Sequence, residues 1–175
     1  MKQLILIIAL IGLLVSCHYE KPDYYKGDSY VRIWVEYFSG NAGYVPEYPL
    51  NTAGGLIHES VNANRLRDTA WFRIQAFGHS SSTDRKIKNE QYFEENDEYE
   101  AAVAGINYVA FDDPEMEKYM VIPADSTTIE VPVIMTYDPN VRGVTYHLYF
   151  QLVPTDDFEV MASKHTRGQV FVDNN

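Results

Sequence analysis

Apolar and polar residues alternate along several short stretches of this chain. The pattern is clearest in residues 145–153, where Tyr146, Leu148, Phe150 and Leu152 form one apolar face. Because successive side chains of a β-strand point to opposite faces, a period of two predicts a strand with one buried side. The same pattern predicts three further firm strands, in residues 29–38, 69–77 and 127–135.

Two other segments give weaker strand signals. Residues 85–93 and 169–172 alternate only in part, which predicts less regular strands. Pro132 lies inside the firm strand 127–135. Because proline lacks the N–H that a ladder hydrogen bond needs, this strand is expected at a sheet edge or at a bulge.

Helical signals are short. Asp113 followed by Pro114 predicts one helical turn, with the aspartate as its cap. Long amphipathic helices are missing from the pattern, and turns rich in glycine and proline separate the strands. Short strands joined in this way predict an all-β fold, an antiparallel β-sandwich over residues 29–175.

The first residues have the layout of an export signal. Lys2 is followed by an apolar stretch, residues 4–15, which is shorter than the about 20 residues that span a membrane. Cys17 ends this stretch as in a bacterial lipoprotein cleavage site. We predict a signal peptide at 1–16, a lipidated Cys17 and a tether at 17–28. A short membrane anchor or an ordinary cleaved signal are the alternatives.

Composition narrows the class of protein. The chain has 25 acidic against 14 basic residues, a formal net charge of −11, which disfavours binding to nucleic acid. It also has 14 Tyr and 8 Phe, which suit strands and exposed β surfaces. Its one cysteine is the predicted lipid site, so no disulfide or thiolate site is expected downstream.

Motifs in the second half resemble a known family. They are Ala104-Gly105-Ile106-Asn107-Tyr108, Val121-Ile122-Pro123-Ala124, the strand ending at Met135, Asp138, and the strand to Val153 followed by Pro154 and Phe158. This order resembles outer-membrane lipoproteins of Bacteroidota in a domain-of-unknown-function family, which implies an Ig-like sandwich behind a lipoprotein signal. A looser likeness is to Calx-β modules. The family resemblance implies no reaction, and similar proteins tend to be longer.

Catalytic signatures are missing from the sequence. The five histidines show no pair at zinc-ligand spacing, and no nucleophile elbow or phosphate-binding glycine loop occurs. His147 falls on the outward side of its strand and is expected to be a solvated imidazole. Catalysis would require carboxylates that folding brings together, as in glycosidases. We therefore expect no enzyme activity.

Two acidic loops are candidate calcium sites. They contain Asp112 with Asp113, and Asp156 with Asp157. Calcium takes six to eight oxygen ligands, and the Calx-β modules that the chain resembles bind it with such loops. Asn107 stands where those modules usually have an acid, so solvated loop charges are favoured over calcium, and no cofactor is expected.

Two short motifs resemble acceptor sites for O-glycosylation in exported Bacteroidota proteins. They are Asp68-Thr69-Ala70 and Asp125-Ser126-Thr127, with Thr69 and Ser126 as the acceptors. An intact mass equal to that of the lipidated polypeptide would refute modification at both sites.

Outward aromatic residues suggest a binding role. Trp34, Trp71 and Tyr149 alternate away from the predicted core faces, where they could stack on a sugar or anchor a partner, although packing roles are favoured for Trp34 and Trp71. With the predicted lipid anchor, this favours a non-catalytic accessory or ligand-binding subunit of a starch-utilisation-type TonB-dependent importer in the outer membrane, binding glycan or peptide. Surface display is favoured over periplasmic retention. The alternative is a structural or adhesin-type protein whose sheet edge pairs with another chain.

Overall fold

The computed structural model describes residues 29–33, 57–78, 80–95, 97–160 and 166–175. Their regular secondary structure is almost entirely strand, as the alternation predicts. One short 3₁₀ helix spans Glu117–Tyr119. The described strands are β1 (Tyr30–Ile33), β2 (His58–Val61), β3 (Arg67–Phe77), β4 (Arg85–Lys86), β5 (Lys88–Tyr92), β6 (Glu100–Ala101), β7 (Val121–Ile122), β8 (Thr128–Thr136), β9 (Val144–Val153), β10 (Glu159–Val160) and β11 (Arg167–Asn174).

Two main sheets form the layers of a sandwich. The first sheet has the order β10-β1-β3-β8, and the second has the order β2-β11-β9-β5 with β6 also beside β9. The long ladders, β3 with β8 and β9 with β11, are antiparallel as predicted. Three short pairs within this sandwich are parallel: β10 with β1, β2 with β11, and β6 with β9.

The core lies between the two sheets and confirms the predicted inward faces. Phe72 of the first sheet meets Phe150 of the second edge to face, with ring centroids 4.9 Å apart. Leu148 and Ile33 are fully buried beside them. Burying one such side chain contributes about 1.5–3 kcal/mol, so this inner layer is the main source of stability.

The weak strand predicted for residues 85–93 is interrupted in the structure. Buried Ile87 separates β4 from β5, and β4 pairs with β7 in a small separate sheet. The predicted turn at Asp113 is present, since its Oδ1 accepts a hydrogen bond of 2.8 Å from the Glu115 N–H. The 3₁₀ helix begins two residues after Glu115 and not directly at the cap.

Strand β8 lies at an edge of the first sheet within the described residues, as Pro132 predicted. The edge is partly covered. The Val109 N–H donates to the Ile134 carbonyl at 2.8 Å, and the Thr136 N–H donates to the Asn107 carbonyl at 2.9 Å. These bonds cover the last part of β8 along this edge, and Pro132, in the middle of the strand, is buried.

The predicted signal peptide, Cys17 and the tether at 17–28 lie outside the described residues, as does Trp34. Among the helices within the described ranges, none has both the length and the apolar character needed to cross a bilayer.

Candidate functional site

Three aromatic rings stack across the outer face of the second sheet. Strand register places His58 of β2, Phe171 of β11 and His147 of β9 side by side. The His58 and Phe171 rings are 4.5 Å apart and nearly parallel at 10°, and the Phe171 and His147 rings are 4.0 Å apart at 19°. Cross-strand aromatic pairs of this kind stabilise a sheet and keep its surface rigid.

Three tyrosines extend this row. Tyr99, from the segment before β6, meets the Phe171 ring edge to face at 5.1 Å. The Tyr149 ring is 3.9 Å from the His147 ring, and the Tyr92 ring is 5.4 Å from the Tyr149 ring. We call the set the outer aromatic face, and its members are His58, Tyr92, Tyr99, His147, Tyr149 and Phe171.

His147 anchors this face and is buried, so the prediction of a solvated imidazole is wrong. It is 4% exposed, because Asp97 and Tyr99 fold over the sheet at this point. Its Nδ1 lies 2.7 Å from Asp97 Oδ2, at ion-pair distance but without hydrogen-bond alignment. Its Nε2 lies 3.0 Å from Gln169 Oε1, an acceptor. Both ring nitrogens therefore face oxygen atoms of the protein.

The exposed part of the face combines rings with polar groups. Tyr99 is 39% exposed, and the His58 side chain is 48% exposed. The Arg167 guanidinium lies 4.8 Å from the centre of the Tyr92 ring, in cation–π contact. Rigid rings flanked by hydrogen-bonding groups suit a ligand with apolar and polar sides, such as a sugar or a peptide.

The described aromatic residues predicted to bind ligand do not form one site. Tyr149 belongs to the outer aromatic face of the second sheet. Trp71 is 53% exposed on the outer face of the first sheet, with its ring 5.8 Å from the Tyr119 ring. The sandwich core separates the two residues, so a single ligand of ordinary size contacts one or the other.

The predicted calcium loops use their carboxylates locally. Asp113 caps the turn described above, and Asp157 Oδ2 accepts a 2.7 Å hydrogen bond from the Lys86 N–H. Within the described ranges, no three Asp, Glu, His or Cys side chains are placed to share a metal ion, and this includes Asp112 and Asp156. The loops therefore give calcium no assembled site in this arrangement.

The two predicted glycosylation sites lie in different backbone settings. Thr69 is half-buried inside β3, where it pairs with Ile134 of β8. Ser126 lies in the turn before β8, and its hydroxyl donates to the Thr128 carbonyl at 2.9 Å. Both residues are partly buried, and modification at either site stays a prediction.

A pair of carboxyl groups, Glu59 and Asp68, was missed by the sequence reasoning. Burial, followed by a hydrogen bond and the negative charge of Asp68, raises the pKa of Glu59 from 4.5 to about 7, while the charge of Arg65 opposes the shift. The pair joins the margins of the two sheets.

No protein-family model matches the chain, and no curated protein matches it. Similar solved structures come from Bacteroides species. A two-domain protein of unknown function from Bacteroides fragilis NCTC 9343 has 10% identity and a TM-score of 0.45, over 83% of this chain and 45% of that one. A candidate carbohydrate-binding protein from Bacteroides ovatus ATCC 8483 has 7% identity and a TM-score of 0.44, over 68% of this chain and 35% of that one. The structure of Bacteroides thetaiotamicron EndoBT-3987 with Man5GlcNAc product has 9% identity and a TM-score of 0.42, over 82% of this chain and 30% of that one. The chain spans less than half the length of each.

Proposed function

We propose that this chain is a non-catalytic, lipid-anchored protein of the outer membrane that captures a ligand for a starch-utilisation-type TonB-dependent importer. The observation that carries the ligand-capture part is the outer aromatic face. Its rings are fixed by the stack of His58, Phe171 and His147, so a ligand meets a preformed surface. Binding to a preformed surface avoids the entropy cost of ordering side chains.

The ligand class follows from the groups that remain exposed. Tyr99 and the half-buried Tyr149 and Tyr92 offer ring surfaces together with phenolic hydroxyls. Arg167 adds a donor beside Tyr92. Stacking by the rings and hydrogen bonding by the hydroxyls and the guanidinium match a glycan, with a peptide as the second ligand of the same surface.

A binding role without catalysis is the simplest use of these groups. His147, the imidazole at the centre of the face, has both nitrogens directed at Asp97 and Gln169. A general base needs a nitrogen within reach of the proton that it abstracts. The tethered location rests on Cys17 and the apolar stretch before it, and surface display is the favoured orientation.

The transporter partnership has a direct test. The tagged full chain is extracted from its native outer membrane in mild detergent, and co-purifying proteins are identified and quantified by mass spectrometry. We expect a TonB-dependent transporter at fixed stoichiometry. A Cys17→Ala variant is the control, since loss of the lipid should release the protein from the membrane fraction. Recovery of the lipidated protein alone would contradict the partnership.

The alternative function is a structural or adhesin-type protein that pairs through a sheet edge. The specific candidate is β8, the edge strand of the first sheet in the described part of the chain. Residues Asn107 and Val109 already bond to the end of β8, and Pro132 removes one donor from its middle. This short remaining edge disfavours strand addition, so ligand capture is the function that the geometry supports better.

A further inference from the structure

The Tyr99 ring lies across the top of the outer aromatic face. Phe171 has the His58 ring on one side and the His147 ring on the other, because β11 lies between β2 and β9. Both faces of the Phe171 ring are therefore covered, so Tyr99, inclined to it at 74°, contacts its edge. An aromatic edge against an aromatic face is a favoured pair. This pair uses one face of the Tyr99 ring and leaves the opposite face toward solvent, where the residue is exposed.

Asp97 fixes the segment that carries Tyr99. Its Oδ1 accepts a hydrogen bond of 3.2 Å from the Tyr99 N–H. Its other oxygen, Oδ2, lies 2.7 Å from Nδ1 of the buried His147. The second ring nitrogen of His147 lies 3.0 Å from Gln169 Oε1. A single carboxylate therefore links the backbone of an exposed aromatic residue to polar groups that are buried on the sheet.

These contacts decide whether the Tyr99 ring is ordered before a ligand arrives. Within the described part of the chain, its other aromatic contacts are the edge-to-face pairs with Phe171 and His147. β6, which follows Tyr99 directly, is only two residues long. Ring pairs alone hold an exposed side chain weakly, and ordering that side chain on binding would cost conformational entropy. The Asp97 carboxylate lowers this cost, because it fixes the backbone that carries the ring in advance.

We propose that Asp97 is a positioning residue for ligand capture, which holds the Tyr99 ring in place so that its open face stacks on one sugar unit of a glycan. The inference rests on the proposed function and adds a residue that acts through Tyr99. Because only one face of this ring is open, it takes the C–H side of a pyranose unit, and the hydroxyl groups on the other side stay in solvent.

The first test is a double-mutant cycle on the full chain in mild detergent. Oligosaccharides that bind on an array are titrated by calorimetry into the unmodified chain, Asp97→Ala, Tyr99→Ala and the double variant. We expect each single variant to lose about tenfold in affinity, and the double variant to lose no more than Tyr99→Ala alone. Such non-additivity is the sign of two residues that act through one contact. Glu98→Gln, an exposed neighbour, is the control and should bind as the unmodified chain does.

A second measurement needs no ligand. In the full chain with labelled tyrosine and phenylalanine, nuclear Overhauser effects between the Tyr99 and Phe171 rings report whether the Tyr99 ring is in place. We expect them in the unmodified chain and in Glu98→Gln, and we expect their loss in Asp97→Ala. The contact between Phe72 and Phe150 in the core should persist in all three proteins, which separates a local change from unfolding.

The outcomes distinguish this inference from the proposed function. Tyr99–Phe171 contacts that survive in Asp97→Ala, or unchanged affinity in that variant, would overturn the inference alone. A double variant that binds more weakly than Tyr99→Ala would show general damage to the outer aromatic face, and would also overturn it. If the unmodified chain binds no oligosaccharide, the proposed function fails and the role in capture fails with it. If Asp97→Ala does not fold, Asp97→Asn replaces it and should weaken both the ring contact and binding.

Discussion

The two outer faces of the sandwich carry similar alternating patterns and use them differently. On the first sheet, Arg73 and Glu130 form an ion pair of 2.7 Å while both side chains stay about half exposed, at 49% and 47%. On the second sheet, the equivalent outward position His147 is 4% exposed beneath Tyr99 and Asp97. Around this ion pair the first outer face is solvated, whereas Pro132 and Ile134 further along β8 are buried. The second has an added layer of packed aromatic and polar groups.

The difference in packing between the two outer faces indicates which outward residues form a rigid surface. Exposed ion pairs such as Arg73 with Glu130 contribute little to the free energy of folding, because water and salt screen them. The outer aromatic face instead fixes its rings through buried polar contacts at His147 and Gln169. The proposal of ligand capture rests on this preformed layer of rings on the second sheet.

The largest expected effect is on the free energy of unfolding, which should fall much more after truncation on the second outer face than on the first. His147→Ala removes a buried ring and leaves Asp97 and Gln169 without their partner, which should lower the free energy of unfolding by about 2–4 kcal/mol. Trp71→Ala, the matched truncation on the first sheet, should cost about 1 kcal/mol, since it loses one edge contact. Chemical denaturation measures both. Equal losses would remove the distinction between the faces.

A second variant isolates the charge contact from the packing. Asp97→Asn keeps the shape beside His147 and removes the negative charge, so we expect a loss of about 1–2 kcal/mol, smaller than that of His147→Ala. Glu98→Gln, an exposed neighbour with the same charge change, is the control and should be nearly neutral. A neutral Asp97→Asn would show that packing alone holds the imidazole.

The carboxyl pair of Glu59 and Asp68, which joins the two sheets, should make stability depend on pH. Because the pKa of Glu59 is raised from 4.5 to about 7, the folded state binds more protons than the unfolded state between these values. Stability should therefore fall as pH rises from about 4.5 to 7, by about 1 kcal/mol or less after solvent screening. Glu59→Gln should flatten this slope, measured by denaturation across the pH range. An unchanged slope would contradict the role of the pair.

The smallest expected effect tests the solvated face. Arg73→Ala breaks its ion pair with Glu130 and should change stability by about 0.5 kcal/mol or less. Thermal unfolding in low and high salt measures it, and the small difference should vanish at high salt. A loss above about 2 kcal/mol would show that the first face is not the simple surface described here.

The sequence predicted the inner layer well and the outer layer poorly. The period of two correctly placed Phe72, Leu148 and Phe150 in the core, because burial on one side of a strand imposes that period directly. Pro132 correctly indicated the edge position of β8. Local residue chemistry was sufficient in both cases, since each signal lies within one strand.

The binding surface could not be predicted in the same way. Tyr149 was recognised as an outward aromatic residue, but alternation does not tell whether another segment covers an outward position. His147 was expected in solvent because Asp97 and Tyr99, distant in sequence, cover it only after folding. The pairing of Glu59 with Asp68 likewise depends on the approach of two different sheets. Signals that depend on such long-range contacts are absent from a single sequence.

The measurement that tests ligand capture most directly is oligosaccharide binding to the full chain in detergent, on an array and then by calorimetry. A double variant, Tyr92→Ala with Tyr149→Ala, is compared with Trp71→Ala, and circular dichroism confirms that all proteins are folded. We predict that the double variant loses about tenfold or more in affinity while Trp71→Ala binds as the unmodified chain does. Absence of any binding, or equal binding by the double variant, would contradict the assignment of ligand capture to the outer aromatic face.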